Sequence, residues 1–189
     1  MKPDLGKVQN GVPFVDLRIQ YEKHREAFEK ALINTAASTQ YVMGPEVTKF
    51  EKSFADFLNA RDVVSVASGT DALRLSCLAL DLAPGDEVLV PANTFIASTL
   101  GICELGAQPV PVDVDPETHL LDLADAEQRI TSKTKGIIPV HLYGQTLDMD
   151  SLIAFTRHHG LFMIEDACQA HGAEWKGKRA GTFGKTGCF

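Results

Sequence analysis

The sequence predicts an α/β domain: a three-layer sandwich with helices on both faces of a mostly parallel central sheet. Three observations point there. From about residue 63 onward, short apolar runs alternate with amphipathic stretches of helical length. Several of those runs, at 87–90, 136–140 and 161–164, are almost continuously apolar, as expected of strands covered on both faces. The length of 189 residues, with 44% hydrophobic and 23% charged residues, suits one such domain and not comfortably two.

The elements follow in order. Residues 21–39 read as a helix, with Phe28, Leu32 and Ile33 at helical spacing. Gly44-Pro45 interrupts it. Pro45 suits the first turn of a second helix reaching about residue 59, with Val47, Phe50, Phe54 and Phe57 along one side. A strand is expected at 63–67 and a helix at 70–82. Strands at 87–90, 109–112, 136–140 and 161–164 then alternate with helices at 96–105, 122–130 and 151–159. Gly160 is placed to cap the last of these helices. A hairpin is expected over 175–179, with Lys176-Gly177 in its turn, and a further strand within 183–189. Strands joined through helices imply right-handed crossovers. The sequence shows no internal repeat, low-complexity tract or linker.

A formal net charge of -7 argues against non-specific nucleic-acid binding, which needs basic patches to release counterions. No Lys/Arg run suits an anionic membrane, and no apolar stretch is long enough for a span. The first residues lack the apolar stretch of a signal peptide. Cys77, Cys103, Cys168 and Cys188 form no C-x-x-C pair, so reduced thiols and a cytoplasmic location are expected. No cysteine or histidine spacing supports a metal site.

In an open α/β sheet, ligands bind beyond the carboxyl ends of the strands. Four segments with unusual polar residues fall there. Ser68-Gly69-Thr70 opens a helix, where free amides and the helix dipole favour an anion such as phosphate; the bland alternative is an ordinary N-cap. Phe95, after Pro91-Ala92-Asn93-Thr94, could lie over a planar ring or belong to the core. His141 and Tyr143 follow a strand as candidate substrate or cofactor contacts, or His141 is a satisfied structural residue. Glu165-Asp166 follow an apolar run, where a carboxylate is costly without a partner. Such a carboxylate could hold a protonated pyridine nitrogen, a metal or a ribose hydroxyl, or cap a helix. Taken together, the segments describe a site for a planar, anionic, nitrogen-containing cofactor.

VASGTDAL, GDEVLVPANTFIAS, GAQPVPVDVD, IIPVHLYGQ and IEDACQAHGAEWKGKRAGTFGKTGCF are similar, in order and spacing, to the DegT/DnrJ/EryC1/StrS family of pyridoxal-phosphate (PLP) sugar aminotransferases. The resemblance covers roughly residues 12–189. It implies the large domain of fold-type I PLP aminotransferases, incomplete at the carboxyl end, with a small C-terminal domain absent. It implies that Gly69 and Thr70 hold the cofactor phosphate and that Phe95 stacks on the ring. Asp166 would pair with the pyridine nitrogen and Gln169 would lie beside the ring 3-oxygen. His141, Tyr143 and His171 are candidate substrate contacts. The family's Schiff-base lysine, in a Ser-Phe-x-x-x-Lys motif, would fall beyond Phe189, so no catalytic residue is assigned; Lys185 lies where the family does not place it. The chain is therefore expected to be part of a longer enzyme, the alternative being a natural truncation.

The activity implied is amino transfer from an amino acid, usually glutamate, to a nucleotide-linked keto-sugar. The look is closest to enzymes aminating C3 of dTDP-3-keto-6-deoxyhexoses. A dehydratase relative and a non-catalytic PLP-binding or interaction protein remain the alternatives. A homodimer is implied, with the N-terminal region at its contact.

Overall fold

The structure, a computed structural model, describes residues 12–189. The chain divides into two compact units, one ending at Phe50 and one running Glu51–Phe189.

In the first unit, α1 spans Leu17–Ser38. Asp16 caps it by accepting from the Arg18 amide at 3.0 Å, and Thr39 ends it in the left-handed region at φ 55°. None of its residues is buried. Leu17 and Ile19 are exposed, and so are Phe28, Leu32 and Ile33, the apolar residues anticipated at helical spacing. α2, Pro45–Leu58, begins in this unit on the proline that needs no helical N–H partner, with Glu46 in its first turn, and its residues from Glu51 onward belong to the second unit.

The second unit holds α3 (Gly69–Ala79), β1 (Glu87–Pro91), α4 (Ala97–Cys103), β2 (Gln108–Val112), α5 (Leu123–Gln128), β3 (Thr134–Ile137), α6 (Met149–His159), β4 (Phe162–Asp166), the short pair β5 (Glu174–Trp175) and β6 (Lys178–Arg179), and β7 (Thr186–Cys188). A 3-10 turn, Leu142–Gly144, follows β3. The central sheet runs β2-β1-β3-β4-β7, with every pairing parallel.

Consecutive residues of a strand point to opposite faces, and this sheet is packed on both. Leu89, Ile137 and Met163 join Val112, Met149 and Leu152 in one core layer. Val88, Ile138 and Ile164 join Leu73, Cys77 and Ile102 in the other. That two-sided burial is why the strand sequences are continuously apolar.

The sheet, the C-cap at Gly160 (φ 65°) and the hairpin turn at Lys176-Gly177 (φ 49° and 80°) agree with expectation. Residues 63–67 do not form the expected strand. A strand exists only by pairing, and the Ser65 amide donates instead to the Glu51 carboxylate at 2.8 Å, with Val64 left exposed. β3 stops at Ile137 rather than 140 because Pro139 has no N–H for the ladder. The chain still follows β4: Asp166 donates its amide to the Pro139 carbonyl, and Val140 bridges to Asp166.

Candidate active site at the carboxyl edge of the sheet

Because β1, β3, β4 and β7 run parallel, the segments that follow them collect at one edge, and the start of α3 lies there too, with Gly69 beside Cys168 and Phe189. Asp166, the last residue of β4, is buried at that edge with 6% of its surface exposed. Its Oδ2 accepts from the Ser98 hydroxyl at 2.8 Å, and its Oδ1 from the Cys168 amide at 3.3 Å. Ser98 lies in the first turn of α4 and is itself buried; Thr94 Oγ1 stands 2.9 Å from it. The loop carrying Phe95 is thus tied through Thr94 and Ser98 to the carboxylate. Phe95 is 70% exposed, so its ring is not a core residue within this chain.

Cys168 joins the carboxylate to the start of α3. A Cβ built on Gly69 would meet the Cys168 sulfur at 2.5 Å, so only glycine allows this approach. Ser68 caps α3, its hydroxyl accepting from the Asp71 amide at 3.2 Å. The Ala72 amide donates to the Ser68 carbonyl. The amides of Gly69 and Thr70 donate to nothing among the described residues. The N-cap reading and the anion reading are therefore compatible: Ser68 serves the later amides and leaves the first two open. Burial pushes the Cys168 thiol up to about 12, helped by the adjacent Asp166 charge, so it sits here as a neutral thiol.

Gln169 and Tyr143 come together. The Tyr143 amide donates to Gln169 Oε1 at 2.9 Å, and the Gln169 NH2 has no partner among the described residues. Tyr143 is 76% exposed and held at φ 58°, a left-handed conformation costly for an aromatic residue. His171 packs on Phe189, with ring centroids 5.3 Å apart, and near Phe54 at 6.1 Å. His141 differs from the other candidates. It is wholly buried, with its Nε2 3.0 Å from Glu165 Oε2, so it is not an exposed contact within this chain. Lys185 lies at the amino end of β7, on the opposite edge. There it lines a cleft of about 350 Å³ with Asp81, Asp86 and Lys135.

The sequence reading missed Ser98 and Thr94. Their i, i+4 spacing, polar on one side of a helix start, was a readable signal. It also missed Cys168 as the partner of Gly69, a contact between residues 99 positions apart that no local pattern encodes.

Residues 22–189 match the DegT/DnrJ/EryC1/StrS aminotransferase family. The chain belongs to it. The dTDP-3-amino-3,4,6-trideoxy-alpha-D-glucose transaminase of Streptomyces venezuelae is 43% identical over 178 residues, which is 94% of this chain and 47% of that protein. The crystal structure of DesV from S. venezuelae superposes with a TM-score of 0.88 at 44% identity, covering 90% of this chain and 46% of that one. NtdA of Bacillus subtilis, solved with bound cofactor PMP, gives 0.85 at 36% identity, over 93% of this chain and 40% of that one. The chain thus spans about half the length of the curated relatives it matches. No helix among the described residues is long and apolar enough to cross a membrane.

Proposed function

We propose that this chain supplies the cofactor-holding part of a PLP-dependent aminotransferase acting on a nucleotide-linked keto-sugar, with glutamate as the amino donor. One observation carries the reading: a buried carboxylate, Asp166, lies beside a helix start whose first two amides are open, with Cys168 touching both. The residues present fit an anionic pyridine. Bound there, the cofactor supplies an electron sink that lets an amino group leave one carbon and join another.

The chain's own residues have distinct tasks. The Gly69 and Thr70 amides bind the phosphate, aided by the α3 dipole. Asp166 holds a proton at the pyridine nitrogen, and Ser98 orients its carboxylate. The Gln169 NH2, turned outward by the Tyr143 amide, donates to the ring oxygen. Phe95 covers one face of the ring and excludes water from it. Tyr143 and His171 remain candidate substrate contacts. The names of the relatives support the sugar class, and that of the S. venezuelae transaminase supports amination at C3 of a dTDP-linked deoxyhexose. A homodimer in the cytoplasm is part of the proposal; the uncovered apolar residues of α1 support a contact with a second copy.

The test is a transamination assay on the protein at its full encoded length. With PLP, glutamate and a dTDP-3-keto-6-deoxyhexose, it should release 2-oxoglutarate and an amino sugar. Holoprotein that releases none with any nucleotide-linked keto-sugar overturns the reading. Borohydride reduction separates the relatives: a pyridoxyl-labelled lysine supports the transaminase, and bound but unlabelled cofactor supports the dehydratase-type or non-catalytic alternative.

A further inference from the structure

Glu165 is wholly buried one residue before Asp166, and the proposed chemistry does not use it. Its Oε1 accepts from the Phe183 and Gly184 amides, each at 2.6 Å. Its Oε2 accepts from the Gly181 amide at 2.8 Å and faces His141 Nε2 at 3.0 Å. Four donors on two oxygens match an ionised carboxylate, which can only accept. His141 Nε2 must then carry the hydrogen. Its Nδ1 is buried with no partner among the described residues. A bare lone pair there is better tolerated than an orphaned N–H, which agrees with the hydrogen lying on Nε2.

The four donors come from two places in the chain. His141 lies four residues beyond β3, and its backbone amide donates to the Asp166 carbonyl at 3.0 Å. It also opens the 3-10 turn whose Tyr143 amide holds Gln169. Gly181, Phe183 and Gly184 lead into β7, whose Cys188 carbonyl accepts from the Ala167 amide and whose next residue, Phe189, lies beside Gly69. Glu165 and Asp166 are adjacent in one strand, so their side chains leave on opposite faces of the sheet.

We propose that Glu165 and His141 are a positioning pair. Their clasp joins the segment after β3, the end of β4 and the loop that leads into β7, and thereby sets Asp166, Gln169 and Gly69 at the spacing a bound cofactor requires. The identity of that ligand rests on the proposed function; the clasp itself does not.

The experiment uses the full-length protein and pyridoxamine 5'-phosphate, a probe that needs no lysine for binding. Glu165→Gln turns an acceptor into a donor that faces donors. His141→Gln keeps a donor where Nε2 stands, and His141→Phe removes it. Losing one charge-assisted bond should raise the probe's dissociation constant about tenfold in Glu165→Gln and His141→Phe, with His141→Gln close to wild type. The Gly181, Phe183 and Gly184 amides should exchange hydrogen about tenfold faster in Glu165→Gln. Folded Glu165→Gln that binds the probe as wild type does would overturn the proposal. If Glu165→Gln does not fold, the two His141 variants decide: equal affinity in both overturns it. If the wild type itself ignores the probe, the cofactor reading falls. Amide exchange at Tyr143 and Asp166 then judges the clasp, and unchanged exchange in His141→Phe overturns it.

Discussion

Glu165 and Asp166 are neighbours in β4 and nearly equally withdrawn from water, at 0% and 6% exposure, yet their surroundings are opposite. An ionised carboxylate offers about four lone-pair sites. Glu165 fills them with three backbone amides and a histidine. Asp166 is met by one hydroxyl, one long amide contact and the weakly donating Cys168 thiol. A saturated carboxylate can only hold the protein together. One with acceptor capacity to spare, next to open helix amides, can also meet a ligand. The buried acid assigned to the cofactor in the proposed function is therefore the less satisfied one.

The largest effect should come from removing the saturated member. Glu165→Ala orphans three amides and a histidine, and breaking a buried charge network of this kind costs about 3–5 kcal/mol. Urea unfolding should show that loss; a change below about 1 kcal/mol would mean the four hydrogen bonds contribute little net.

Asp166→Asn should separate the two roles. The amide can still accept from Ser98, so the fold should lose no more than about 1.5 kcal/mol. Affinity for pyridoxamine 5'-phosphate should fall tenfold or more, since 1.4 kcal/mol of lost pairing is already a factor of ten. PLP-dependent turnover should nearly vanish. Unchanged turnover would remove Asp166 from the pyridine nitrogen and erase the contrast with Glu165.

Gly69→Ala probes the contact that brings the carboxylate to the helix start. Its Cβ would sit 2.5 Å from the Cys168 sulfur, an overpacking worth about 1–3 kcal/mol. Cys168→Ala in the same chain should recover most of that loss. A double-mutant cycle showing simple additivity would mean that the two residues are not coupled.

Phe95→Ala should change least in stability, within about 0.5 kcal/mol, because the ring is mostly exposed. Its effect belongs to the bound cofactor, as weaker affinity and an altered absorption spectrum. Wild-type affinity would leave Phe95 with no part in the site.

What could be read in advance divides by range. Helices were legible because their signals are local. Pro45 at a first turn, Gly160 as a C-cap and Lys176-Gly177 in a hairpin turn act within a few residues, and each appears as expected. Buried strands were legible because two-sided burial writes itself into an apolar run. The run at 63–67 has the same composition and forms no strand, because pairing requires a partner that composition does not report.

The carboxyl edge was legible as a place, and the resemblance named its residues. The distinction within it was not. His141 read as well for a ligand contact as for a structural residue, and only burial against Glu165 separates the two. The sequence by itself determined the order of elements, the parallel sheet and the chemistry available at its edge, because periodicity, caps and residue type are local properties. Only the tertiary structure decided which of two adjacent acids is closed and which is open. The donors that make the difference arrive from residues 98, 141, 168, 181, 183 and 184, and their convergence on β4 is a property of the folded chain alone.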